Sequence, residues 1–170
     1  TSWWEELLTL DVVESASNAW FDAIKRAVTD PPKPAPIPSG LIAKLRPYQK
    51  TGFEWLAGLR RSRLGAVLAD DMGLGKTVQT LAMIQDEREQ SALARATGQA
   101  TDRATGQATG PWLVVAPTSV VANWAAEARK FTPGLRVATV DATRKRRGAE
   151  LAALAHDVDI LITSYTLLRL

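Results

Sequence analysis

The apolar run Leu64-Gly65-Ala66-Val67-Leu68-Ala69 leads straight into Asp70-Asp71-Met72-Gly73-Leu74-Gly75-Lys76-Thr77 and then into Val78-Gln79-Thr80-Leu81-Ala82-Met83-Ile84. A strand over 64–69, a turn ending in Gly-Lys-Thr and a helix are expected in that order, which is the setting a phosphate-binding loop requires. Gly73 and Gly75 let backbone N–H groups close around phosphate oxygens with no Cβ in the way. The helix N-terminus adds its partial positive charge. Lys76 supplies a point charge for the outer phosphates, and the Thr77 hydroxyl is a ligand for Mg²⁺. A strict phosphate loop has Gly where Asp70 stands, so an ordinary strand-to-helix turn is the competing reading. Reading Val67-Leu68-Ala69-Asp70-Asp71 as an acidic strand end of Walker B type fails, because one turn cannot serve both roles.

The 170 residues are enough for one ordinary core, and the chain is 46% apolar and 23% charged. No apolar run approaches the ~20 residues of a membrane span, and no basic-then-apolar leader is visible. Cysteine is absent, which excludes disulfides and cysteine-held metal, and the single histidine, His156, cannot build a metal cluster. The net charge of +3 leans only mildly toward nucleic acid. The chain starts at Thr1 and stops at Leu170 within an apolar run, so both ends read as cuts in something longer.

Residues 1–30 read as a helical N-terminal segment. Trp3, Leu7, Leu10, Val13, Ala16, Trp20, Ile24 and Val28 recur at helical spacing, as a stripe packed on its own protein or offered to a partner. The Pro-rich stretch 31–40 reads as a stiff, extended linker and a domain boundary. From 41 to 170 helices and strands alternate. Helices are expected over about 47–61, from the Gly-Lys-Thr turn to about 95, from Ser119 as N-cap to 131, and over about 143–156. Strands are expected at 64–69, 112–116, 136–140 and 158–163. The fold class is therefore α/β, a parallel sheet covered by helices on both faces.

Arg95-Ala96-Thr97-Gly98-Gln99-Ala100-Thr101-Asp102 repeats as Arg103-Ala104-Thr105-Gly106-Gln107-Ala108-Thr109-Gly110 with one change. Two small, polar octapeptides cannot build a solenoid, so 95–110 is expected to be a flexible surface loop.

Further motifs stand in a fixed order around the loop. Leu45-Arg46-Pro47-Tyr48-Gln49-Lys50-Thr51-Gly52-Phe53-Glu54-Trp55-Leu56 lies upstream; Leu113-Val114-Val115-Ala116-Pro117-Thr118-Ser119 with Asn123-Trp124, Glu127 and Lys130-Phe131, and then Ile162-Thr163-Ser164-Tyr165, lie downstream. Over about 41–170 the chain resembles the SWI/SNF-type DNA translocases, a branch of helicase superfamily two in which Asp at position 70 is normal. The resemblance implies the first part of a RecA-like lobe. It implies ATP and Mg²⁺ as cofactors, with contacts from Arg46, Gln49, Asp71, Met72, Gly73, Leu74, Gly75, Lys76, Thr77 and Val78. Lys76 and Thr77 carry the catalytic and Mg²⁺ roles. Gln49 would read adenine, since a carboxamide offers both a donor and an acceptor. Pro117, Thr118, Ser119, Thr163, Ser164 and Tyr165 would hold double-stranded DNA by its backbone, independent of sequence; as plain residues they are a helix cap and a turn. Arg144-Lys145-Arg146-Arg147 is a solvated face or a backbone contact.

Superfamily-two ATPases also carry an Asp-Glu pair at a strand end after the Thr-Ser-Tyr motif, and none is present here. Asp159 precedes its strand, and Asp141 has no Glu beside it and comes early. The second lobe is also missing. The chain alone is thus expected to bind ATP without hydrolysing it. The whole protein is expected to be an ATP hydrolase that moves along duplex DNA and remodels a DNA-bound protein, with no membrane role, in the cytoplasm and on the nucleoid if bacterial. The alternatives are a strand-separating DNA or RNA helicase and a non-motor nucleotide-binding module. The octapeptide duplication yields a direct test. Deleting 95–102 should leave the thermal midpoint within about two degrees, because loop length costs free energy only logarithmically; the measurement is a melting curve beside the parent's.

Overall fold

The structure, a computed structural model, describes residues 34–98, 110–140 and 148–168, with the side chains of 148–152 excepted. The helical segment expected at 1–30, most of the octapeptide repeat, Asp141 and the basic run 144–147 lie outside the described residues. Among those described, the elements run α1 (Pro47–Arg61), α2 (Lys76–Ala96), β1 (Trp112–Ala116), α3 (Thr118–Phe131), β2 (Val137–Thr139), α4 (Gly148–Asp157), β3 (Ile160–Ser164) and α5 (Tyr165–Leu168).

The three strands form one parallel sheet in the order β1-β3-β2. Trp112 pairs with Ile160 and Ala116 with Ser164, while Val137 pairs with Ile160 and Thr139 with Ile162. The central strand β3 is the most buried, as a strand with neighbours on both sides should be. Ile160 and Ile162 point into the core with Trp112, Val114 and Val137, and they meet Leu81, Ile84, Ala125 and Ala128 from the helices. Phe53, Leu81, Ile84, Ile160 and Ile162 are fully buried, each burial being favourable by ~1.5–3 kcal/mol. Leu113, on the other face of β1, remains 54% exposed, so the expected covering of both faces is not complete among the described residues.

The expected strand at 64–69 does not form. A strand exists only through hydrogen bonds to a neighbour, and no described segment runs beside this one; Val67 is 84% exposed. Ser119 is not the cap of α3. The helix starts two residues earlier, with Pro117 at the N-cap position and its carbonyl accepting from Val120 N–H at 2.8 Å. The repeat also begins as structure rather than loop, since Arg95 and Ala96 complete the last turn of α2. Thr97 N–H and Gly98 N–H then close on the carbonyls of Leu93 and Arg95. Deleting 95–102 puts Arg103-Ala104-Thr105-Gly106 in the same register, which preserves that ending.

Residues 34–42 are a strap packed on the lobe. Ala35 and Leu41 are in the core cluster. Glu89 of α2 accepts from Ser39 N–H at 3.0 Å and Gly40 N–H at 2.7 Å, and Ile42 N–H donates to Phe131 O at 2.7 Å. Burial opposes ionisation of Glu89, but the bonds from Gln85, Gly40 and Ser39 outweigh it and hold the carboxyl below its usual range.

Asp159 joins three elements at the N-terminal edge of the sheet. Its Oδ2 accepts from Arg88 of α2 at 2.5 Å and from Arg136 N–H at 2.7 Å, and the Arg136 side chain reaches it at 3.2 Å. Burial raises its pKa, but the Arg136 bonds and the Arg88 charge prevail and the carboxyl titrates below its ordinary 3.8. A depressed folded-state value means that this stabilisation is complete above the ordinary value and is lost as pH falls through the folded one. Asp159→Ala should destabilise by ~1–2 kcal/mol at neutral pH, discounted for its half-exposed arginine partners. Urea unfolding of both proteins should show that difference shrinking as pH falls below the ordinary carboxylate value.

Candidate functional site

The Asp70–Thr77 turn is built around two left-handed glycines, Gly73 at φ +86° and Gly75 at φ +79°. Gly75 is the N-cap of α2; its carbonyl accepts from Gln79 N–H at 3.2 Å, which starts the helix. The first helical N–H groups, those of Lys76, Thr77 and Val78, have no acceptor inside the helix. Lys76 folds over the loop, its Nζ donating to Asp70 O at 2.5 Å and Asp71 O at 2.8 Å. The Thr77 hydroxyl has no hydrogen-bond partner among the described residues. Met72 is 96% exposed, and Leu74 lies at the edge of exposure. The turn therefore presents backbone donors, one ammonium and one hydroxyl at the end of a helix, which is a cradle for an anion.

Gln49 comes to this loop from α1. It is the third residue of that helix. Its Oε1 accepts from Arg46 N–H at 2.9 Å, in the manner of a capping box, and its Nε2 donates to Leu74 O at 3.1 Å. Oε1 thus keeps one lone pair, and the second N–H of Nε2 reaches the Tyr48 hydroxyl at 3.5 Å, a contact long enough to be exchanged for a better one. Gly75 owes its identity partly to this approach, since a Cβ there would stand 2.4 Å from Gln49 Nε2 and 3.2 Å from Val78 Cγ1.

The downstream motifs meet across the sheet. Because Ala116 pairs with Ser164, the turns beginning at Pro117 and Tyr165 leave the C-terminal ends of adjacent parallel strands. Pro117, Thr118, Ser119 and Tyr165 are exposed, whereas Thr163 and Ser164 are buried. Thr118 and Ser119 keep helix-terminal N–H groups without intrahelical acceptors. The Asn123-Trp124…Phe131 segment serves packing. Trp124 and Phe131 lie against the core, Asn123 donates to Glu127 at 3.0 Å, and Lys130 stands 5.0 Å over the Phe131 ring. Asp159 belongs to the opposite edge of the sheet, bound to arginines. Sequence reasoning passed over Gln79 and Gly52. Gln79 is fully buried, with Nε2 donating to Asp70 Oδ2 at 3.2 Å, and a Cβ on Gly52 would stand 1.9 Å from its Oε1. The one available signal was that Gln79 lies one helical turn beyond Gly75.

A parallel sheet with the glycine turn at the head of a buried helix defines a RecA-like lobe. Residues 48–170 match the SNF2-related domain, and the chain belongs to that family. It is 43% identical to YwqA of Bacillus subtilis over 123 residues, 72% of this chain and 12% of that protein. It is 39% identical to the helicase SWR1 of Candida albicans over 140 residues, 79% of this chain and 7% of that one. Among solved structures it is similar to the Sulfolobus solfataricus SWI2/SNF2 ATPase core in complex with dsDNA, with TM-score 0.62 and 35% identity over 80% of this chain and 24% of that chain. The chain thus spans a small fraction of the curated relatives it matches.

The two loop glycines separate two physical costs. Gly73→Ala, with nothing within 4 Å of the new Cβ, should lose only the ~1–2 kcal/mol of a left-handed L-residue. Gly75→Ala should lose more, because it must also displace Gln49. Urea unfolding of the two variants should rank them in that order.

Proposed function

We propose that this chain is the nucleotide-binding part of a DNA-dependent ATPase that moves along double-stranded DNA and remodels protein bound there. The observation that carries the reading is the Asp70–Thr77 loop, with Lys76 folded over it at the N-terminus of α2. Gly73, Gly75 and the backbone from Asp71 to Val78 would surround the phosphates, with Lys76 exchanging its carbonyl partners for phosphate oxygens. Thr77 fits Mg²⁺, which takes few protein ligands and completes its shell with phosphate oxygens and water; when bound it would offset charge on the outer phosphates. Gln49, set by Arg46 N–H and Leu74 O, would turn its remaining donor and acceptor to adenine. The exposed Pro117-Thr118-Ser119 turn and Tyr165 lie together at one end of the sheet. Hydroxyl and backbone N–H donors there would grip duplex phosphates without reading bases, while buried Thr163 and Ser164 would shape the turn from beneath. No described helix is long and apolar enough to cross a membrane. Work on duplex DNA would place the protein in the cytoplasm, at the nucleoid of a bacterial cell.

Lys76→Ala should weaken binding of a fluorescent ATP analogue by ~1.5–3 kcal/mol, roughly tenfold to a hundredfold in Kd. In the protein that carries this lobe, it should also abolish phosphate release stimulated by duplex DNA. Equal affinity in parent and variant would overturn the nucleotide site, and release indifferent to duplex would overturn the DNA-driven motor.

A further inference from the structure

Gln79 is the polar side chain in the first turn of α2 that lies in the interior, beside the apolar Val78. It has no exposed surface, yet it is polar, and its Oε1 has no hydrogen-bond partner. A buried carbonyl without a donor is unfavourable, and a methionine or leucine would fill the space with no such loss. What the amide supplies lies at its other end. Nε2 donates to Asp70 Oδ2 at 3.2 Å and to Gly75 O at 3.4 Å. Asp70 opens the loop and Gly75 closes it, with Asp71–Leu74 between them.

We propose that Gln79 is a positioning residue that clips the two ends of the phosphate loop together and sets the width of its mouth. The proposal rests on the nucleotide-site reading above. One NH₂ group holds both ends, so neither can move away from the other without losing a bond. The same end of the loop is gripped by Lys76 through Asp70 O and Asp71 O. Those bonds are the ones Lys76 must exchange for phosphate oxygens, whereas the Gln79 clip stays and keeps the backbone donors converged. Gly52 makes room for it. Helix α1 passes so close that any Cβ at 52 would strike Gln79 Oε1, so α1, which carries Gln49, also presses the amide onto the loop. Nucleobase helix and phosphate loop are thus mechanically joined through one buried side chain. In the groove of about 520 Å³ beside it, Tyr48 and Asp70 are the groups that titrate, and the remaining lining is neutral.

The test is titration of the chain with a fluorescent ATP analogue, with adenosine as competitor, from mildly acid to mildly alkaline pH. Gln79→Met should weaken the analogue by about tenfold, or ~1.4 kcal/mol, and leave adenosine nearly unchanged, since only phosphate contacts need the loop mouth, whereas Gly52→Ala, whose Cβ must displace the helix that carries Gln49, should weaken both. Gln79→Glu sets a carboxylate against Asp70, and two such groups in contact take up a shared proton as pH falls. Its affinity relative to the parent should therefore be low in alkali and recover in acid. The exchanged pair Asp70→Asn with Gln79→Glu restores a donor opposite an acceptor at residue 70 but no donor to Gly75 O, and it should recover part of the binding at every pH. A pH-independent ratio for Gln79→Glu, or a pair no better than the single variant, would overturn the clip. If Gln79→Glu does not fold, Asp70→Ala should bind about tenfold more weakly than Asp70→Asn, and equal affinities overturn the proposal. Lys76→Ala distinguishes the two readings. Unchanged binding in that variant rejects the nucleotide site itself, whereas weakened binding there beside unaffected Gln79 variants rejects the clip alone.

Discussion

Helix α2 is the member on which everything else in this lobe depends. From Val78 to Glu87 it is buried along almost its whole circumference, which an isolated amphipathic helix would never be. Its apolar residues Leu81, Ala82 and Ile84 fill the space between α1, α3 and the sheet. Several of its polar residues are buried or half-buried too, and four of them reach different neighbours. Gln79 holds the loop, Glu87 meets Arg60 of α1 at 2.7 Å, Arg88 reaches Gly134 O and Asp159, and Glu89 holds the strap at 39–40. Leaving a buried polar group unpaired is costly, so these pairings favour one place for each neighbour.

That arrangement links stability to the site. The N-terminus of α2 is where the loop glycines hand the chain into helical geometry, and a terminus can be an anion cradle only if its axis is fixed. The packing of α2 fixes the axis, and Gln49 and Gln79 then hold the loop from two sides, through Leu74 O and through Asp70 with Gly75 O. Both amides come from a helix surface one turn or less from its start, where side chains reach backward toward the N-terminal end. At the other motif pair the sheet does the equivalent work, since the register of β1 on β3 aligns two turns far apart in sequence.

The geometry of the loop was legible in the residue order. Gly73 and Gly75 take the left-handed turns, Lys76 and Thr77 open α2, and Pro47 and the apolar spacing after it marked α1 as plainly. The strands expected at 112–116 and 158–163 were equally visible as short apolar runs, and they form over Trp112–Ala116 and Ile160–Ser164. The apolar run 64–69 was read as a strand on the same grounds and does not form one among the described residues. Composition expresses a preference for extended backbone, but the hydrogen bonds must come from a neighbour. The cap expected at Ser119 was misplaced by two residues for a related reason: a hydroxyl marks the neighbourhood of a helix start, while Pro117 with its preset φ takes the cap.

By itself, the sequence determined the local elements: which segments are helical, where the glycines force left-handed turns, and which residues cluster at the head of α2. These follow from interactions between residues a few positions apart. Tertiary structure alone decided the strand order β1-β3-β2, the packing of residues 34–42 onto the lobe, the pairing of Asp159 with Arg88 and Arg136, and the burial of Gln79 beneath Gly52. Each of those joins residues distant along the chain. Their positions follow from which apolar faces cover one another and which buried polar atoms then find a partner, and no local periodicity records that.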